Sequence, residues 1–125
     1  VPLDLTGTSS AAVGHIHNEF SVRLGYAITN ASIFEGHLIE LRRASKLLRA
    51  NYTLHHQGSG DKKYELDAAM MTDKDIKEVE DEIALEEMKL TILNGVIGGY
   101  MKIVEGASRE ISRRENEGKR GGGYV

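Results

Sequence analysis

The chain has 125 residues, no cysteine, two Phe, five Tyr, no Trp and a net charge of −3, about one domain's worth of sequence. The absence of cysteine excludes disulfide, thiolate-metal and cysteine-nucleophile chemistry. The charge excludes a strongly basic nucleic-acid binder but not a locally basic one, and the scarcity of rings calls for an aliphatic core.

Val1-Pro2-Leu3-Asp4 lacks the basic-then-apolar order of a signal peptide. Val1 is a residue that removal of an initiator Met would expose, and the expectation is a whole intracellular product. No apolar run reaches the roughly 20 residues needed to span a bilayer, and no repeat is visible. Residues 1–28 carry Thr6, Gly7, Thr8, Ser9, Ser10, Gly14 and Gly25 without a sustained helical period. They read as an extended N-terminal arm with room for a short helix near Ala11, or equally as a frayed tail, since such a stretch has little to bury alone.

From Asn30 onward Phe34, Leu38, Leu41, Ser45, Leu48 and Tyr52 share one helical stripe. With Asn30 or Ser32 as cap, the spacing predicts a helix over 30–54. Gln57-Gly58-Ser59-Gly60-Asp61 breaks it. Residues 55–72 form a connection in which Tyr64 to Met71 is part strand or part helix. Thr72 then offers a cap for a helix opening at Asp73, accepting from the backbone three residues on.

In that helix Ile76, Ile83, Leu90, Ile97, Val104 and Ile111 recur every seventh residue. Val79, Leu93, Tyr100 and Ala107 follow members of the series by three, and Glu86 is the exception. This is a coiled-coil-like seam, with Ile76, Val79, Ile83, Leu90, Leu93, Ile97, Tyr100, Val104 and Ile111 as its packing residues. A helix over 73–116 would be on the order of 65 Å long, against roughly 30 Å for a compact chain of this size. It therefore protrudes, bends, or packs on copies of itself or another chain. Asn94-Gly95-Val96-Ile97-Gly98-Gly99 is its weak point, as a break or as a close helix contact. The acid-rich stretch from Asp73 to Glu87 and the later Arg109, Arg113 and Arg114 suit the helix dipole. The Gly-rich tail over 117–125 is flexible by composition. The fold expected is mainly α: an extended arm over 1–28, then an antiparallel pair of long helices within a domain over 29–116.

Sequence signals for chemistry are weak. His15 with His17, and His55 with His56, lack the spacing and third ligand of a metal site. Gly58-Ser59-Gly60-Asp61-Lys62-Lys63 departs from the phosphate-loop spacing, and no nucleophile, kinase or dinucleotide signature is present. Neither an enzyme nor a cofactor is expected. Arg42, Arg43, Lys46, Arg49, Tyr52 and Lys62 combine cations with a ring, the composition of single-stranded nucleic-acid sites and equally of a solvated helix face.

Two stretches resemble known families. Leu3-Asp4-Leu5-Thr6-Gly7-Thr8, followed by Ile16-His17-Asn18-Glu19, resembles an N-terminal segment of tailed-bacteriophage virion structural proteins. That resemblance implies membership of a particle assembled in the host cytoplasm. Its partners would be copies of the chain and other virion proteins, with Leu3, Leu5, Thr6 and Gly7 docking on neighbours and Tyr124-Val125 as a second lock. Residues 31–116 are similar to the small helical recombination mediators of T-even-type phages. The similarity rests on Leu48-Arg49-Ala50-Asn51-Tyr52, Gly58-Ser59-Gly60-Asp61 and Asp73-Lys74-Asp75-Ile76. It implies the alternative, a ring-forming single-stranded-DNA binder that helps load a recombinase. The first expectation is a minor virion component of neck, tail or baseplate, with no membrane partner.

Overall fold

A computed structural model describes residues 4–56 and 62–122. Among these residues three helices follow in order: α1, Ser10–His55; α2, Lys63–Met70; and α3, Lys74–Gly122. No strand occurs among the described residues, so the mainly α class with two long antiparallel helices holds. None of the described helices is long and apolar enough to cross a membrane. The chain divides into two compact units, one of residues 1–30 with 93–125 and the other of residues 31–92.

The first long helix starts at Ser10, not near residue 30. Ser9 is its cap, its Oγ accepting from the N–H of Ala12 at 3.2 Å. Val13, Ile16, Phe20, Leu24 and Ala27 recur at helical spacing and are buried or half-buried. Packing of that face outweighs the cost of Gly14 and Gly25, each about 1 kcal/mol relative to Ala. Non-helical chain in the described arm is confined to residues 4–9, and it is folded into a turn, not extended. There the Asp4 carboxylate accepts from the Thr6 N–H at 3.0 Å and hydroxyl at 2.7 Å. The Thr8 N–H closes a turn on the carbonyl of Leu5 at 3.0 Å.

In the unit of residues 1–30 and 93–125, α1 and α3 run antiparallel. Val13 packs with Ala107, both fully buried, and Leu5 joins them, with Ile16 and Ile111 at the edge. Further along, Phe20 meets Tyr100 edge-on at 5.6 Å between ring centres. Half-buried Leu93, Ile97, Tyr100, Val104 and Ile111 all lie in this unit. The helix is unbroken through Gly95, Gly98 and Gly99, and a Cβ at any of the three would meet nothing within 4 Å. Neither a break nor a close approach within the described chain accounts for these glycines.

In the unit of residues 31–92, the first and third helices again pair antiparallel. Leu38, Leu41 and Ile83 are buried together, with Val79 and Leu90 packed against them. Residues Lys63–Met70 are helical throughout, with Met70 buried. Asp73, not Thr72, caps α3, its Oδ1 accepting from the N–H of Ile76 at 3.1 Å. The Thr72 hydroxyl instead donates to the carbonyl of Ala69 at 2.7 Å. The aspartate sits one residue nearer the first helical N–H groups, and its carboxylate is the stronger acceptor there.

Glu86, the exception in the heptad series, is 8% exposed, on the buried side of α3. Its Oε1 accepts from Lys89 at 3.3 Å and His37 Nδ1 lies 3.6 Å from Oε2, but Oε2 has no hydrogen-bond partner among the described residues. A buried oxygen without a partner costs about 1–3 kcal/mol. Glu86→Leu should therefore raise the stability by about that amount, read as a higher urea midpoint. A lower midpoint would mean that the His37 and Lys89 contacts outweigh the desolvation.

Candidate assembly surfaces

The basic stretch of α1 and the acidic start of α3 meet within the unit of residues 31–92. Arg42 Nη2 donates to Glu87 at 3.0 Å, and Arg49 Nη2 to Glu80 at 2.8 Å. The buried Ser45 hydroxyl donates to the same Glu80 oxygen at 2.6 Å. The Ser45 hydroxyl first, and then the Arg49 guanidinium, hold the Glu80 carboxyl below its usual range. The acidic run thus does more than complement a dipole, since it pairs with two of the five cations that marked a nucleic-acid face. Arg43 and Lys46 are exposed and make no ion pair among the described residues. Tyr52 stacks on His56 with ring centres 4.0 Å apart, and Lys62 is exposed at the start of α2. These six residues do not converge on an enclosed site.

Of the arm residues, Leu5 is packed within the chain. Leu5 is buried beside Val13 and Ala107, whereas Thr6 and Gly7 are exposed in the turn. Leu3, Tyr124 and Val125 lie outside the described residues, as does the glycine-containing connection 57–61. Arg114 holds the turn from α3, donating to the carbonyls of Leu5 and Thr8 and, at 2.9 Å, to Ser10 Oγ. Its Nε also donates to Glu110 at 2.8 Å. Arg113 donates twice to Glu110, at 3.1 and 2.6 Å.

Hydrogen bonds from Arg113, and then Arg114, lower the Glu110 pKa from 4.5 to about 2 against the opposing effect of burial. The folded value is depressed, so the carboxylate's contribution is complete above the ordinary value and is lost as the pH falls towards 2. The prediction is that Glu110→Gln weakens the protein at neutral pH and flattens its acid-unfolding profile between pH 4.5 and 2. An unchanged profile would separate Glu110 from the acid response. At the turn, the Thr6 hydroxyl and then its N–H keep the Asp4 carboxyl below its ordinary value.

The remaining feature is a second apolar stripe on each long helix. In the unit of residues 31–92, Leu47 and Leu54 are 63% and 65% exposed on α1. Leu47 lies nine residues beyond the buried Leu38, which turns it about 180° away from the shared core. On α3, Leu85, Met88 and Ile92 are exposed at 46%, 54% and 62%, and Leu85 lies nine residues beyond the buried Ile76. In the other unit Val22 and Tyr26 on α1, with Val96 and Met101 on α3, are also exposed. Single exposed aliphatic residues are ordinary, whereas here the exposed residues recur along one side of each helix. These rows escaped a reading that followed one seam per helix, although their three- and four-residue spacing is present in the sequence.

Among the described residues no group of His, Asp and Glu could hold a metal ion. His15 pairs with Glu19 at 3.3 Å, while His55 and His56 each face a backbone carbonyl one turn back, at 2.7 and 2.8 Å. No protein-family model, curated protein or solved structure matches the chain.

Proposed function

We propose that the chain is a minor structural protein of a tailed-bacteriophage particle, in the neck, tail or baseplate. It acts mechanically, through helix packing with copies of itself and other virion proteins. The observation that carries the assembly reading is the outward apolar stripe on both long helices, opposite the face each buries. Such a helix is apolar on two sides, and satisfying both requires more helices than one chain supplies. The D-L-T-G-T segment at residues 4–8 supports the particle. With Leu5 buried and the carbonyls of Leu5 and Thr8 held by Arg114, the outward stripes are the main surfaces this reading gives to neighbours, beside exposed Thr6 and Gly7.

Mass spectrometry of particles purified from the phage that encodes the chain tests this role. The expected result is the chain at a reproducible copy number relative to the major virion proteins. Its absence from intact particles would overturn the proposal. The alternative, a recombination mediator, draws on exposed Arg43 and Lys46. Under that alternative the chain would bind a labelled single-stranded oligonucleotide at micromolar concentration, weakening steeply with salt. The virion reading expects no such binding.

A further inference from the structure

We infer that the outward stripe of α1 in one copy packs on the outward stripe of α3 in a second copy, in parallel. This rests on the reading of these stripes as assembly surfaces and names which surface meets which. In the unit of residues 31–92, Arg43, Leu47, Ala50 and Leu54 are all exposed on α1, and Asp81, Leu85, Met88 and Ile92 are all exposed on α3. Both sets follow the same four-three-four spacing, so each forms one stripe, and the two can be laid alongside in register.

In that register the apolar residues meet one another: Leu47 faces Leu85, Ala50 faces Met88, and Leu54 faces Ile92. At the same end of the two stripes, the cation Arg43 faces the carboxylate of Asp81. Neither Arg43 nor Asp81 makes an ion pair or hydrogen bond among the described residues. Arg43 and Asp81 complement each other, whereas either stripe paired with itself in parallel would set Arg43 against Arg43 or Asp81 against Asp81. One turn earlier Glu40 approaches Glu78, whose carboxylate already lies 4.0 Å from Lys74 on its own helix. The small side chain of Ala50 leaves room for the longer Met88.

The contact joins two different surfaces, so after one pairing the first copy still has its α3 stripe free and the second its α1 stripe. Assembly of this kind is heterologous and continues into a ring or filament instead of stopping at a symmetric dimer.

The chain contains no cysteine, so introduced thiols report the pairing without background. Leu47→Cys and Leu85→Cys are placed in separate full-length chains. Each is oxidised alone and as an equal mixture, and covalent dimers are resolved on non-reducing gels. The expected result is strong cross-linking in the mixture and little in either chain alone. Cross-linking of either variant with itself at the level of the mixture would overturn the α1-to-α3 pairing in favour of like-with-like contacts. A wild-type chain that assembles while neither the mixture nor the single variants cross-link would overturn this register and leave the assembly reading standing. A wild-type chain that is monomeric under the same conditions would overturn both.

A charge exchange supplies the second readout. Arg43→Glu and Asp81→Arg should each reduce assembly about tenfold in concentration dependence, roughly the effect of one lost close charge pair. The chain carrying both substitutions should recover it. Recovery that fails while both single variants weaken assembly would place the two residues in separate contacts.

Discussion

Replacing Leu38 with Ala should lower the unfolding free energy by about 2–5 kcal/mol, the range for removing a buried leucine side chain without full collapse of the site. Leu38 is 2% exposed and packs with Leu41 and Ile83 in the unit of residues 31–92. Leu47→Ala on the outward stripe removes the same atoms from a side chain that is 63% exposed, and should change the stability of dilute protein by no more than about 0.5 kcal/mol. Urea denaturation of the two variants measures the difference. Comparable losses would mean that the outward stripe is already buried in the dilute state, and a negligible loss in Leu38→Ala would remove the inner core from the account.

The second large effect concerns Arg114. Arg114→Met keeps much of the aliphatic stem but removes the bonds to the carbonyls of Leu5 and Thr8, to Ser10 and to Glu110. A charged hydrogen-bonding group of this sort contributes about 1.5–3 kcal/mol, with the lower part of that range appropriate because the side chain remains 21% exposed. Leu5 would lose the clamp that keeps it against Val13 and Ala107. The expected result is faster amide exchange at Thr8, whose N–H bonds to Leu5, with a lower unfolding midpoint. Arg109→Met serves as the control, because Arg109 is exposed and, among the described residues, reaches only the carbonyl of Glu105 one turn back on its own helix. Unchanged exchange at Thr8 would show that the turn holds without Arg114.

The legible part of this fold was the heptad series. Ile76 and Ile83 are buried where their repeat places them, and Val79 and Leu90 pack beside the Leu38 and Ile83 core. The first half of α1 was hidden because its stripe is built partly from small residues, Ala27 and Ala31, and is interrupted to the eye by Gly14 and Gly25. Local propensity there points away from helix, and packing against α3 reverses it. The contact of Arg114 with residues 5–10 joins positions more than a hundred apart in sequence, and no local pattern encodes a pairing of that range. The basic and acidic runs were visible as runs. That Arg42 and Arg49 pair with Glu87 and Glu80 follows only once the antiparallel register is known.

The outward stripes were legible in principle. Leu47 and Leu54, like Leu85 and Ile92, are seven apart, the same interval as the inner seam. Two interleaved heptad series on one helix signal two packing faces, and assigning one of them to the chain's own core leaves the other for a neighbour. Such a helix has a weak overall apolar bias to any single side, which is why a search for one amphipathic face passes over it.

Sedimentation equilibrium of the purified chain, followed over a range of micromolar concentrations, tests most directly whether these outward faces serve assembly. The account predicts species at multiples of the 13.8 kDa chain mass, growing with concentration and reduced by a polar substitution such as Leu47→Ser or Leu85→Ser. A single species at 13.8 kDa up to the highest concentration reached would contradict it.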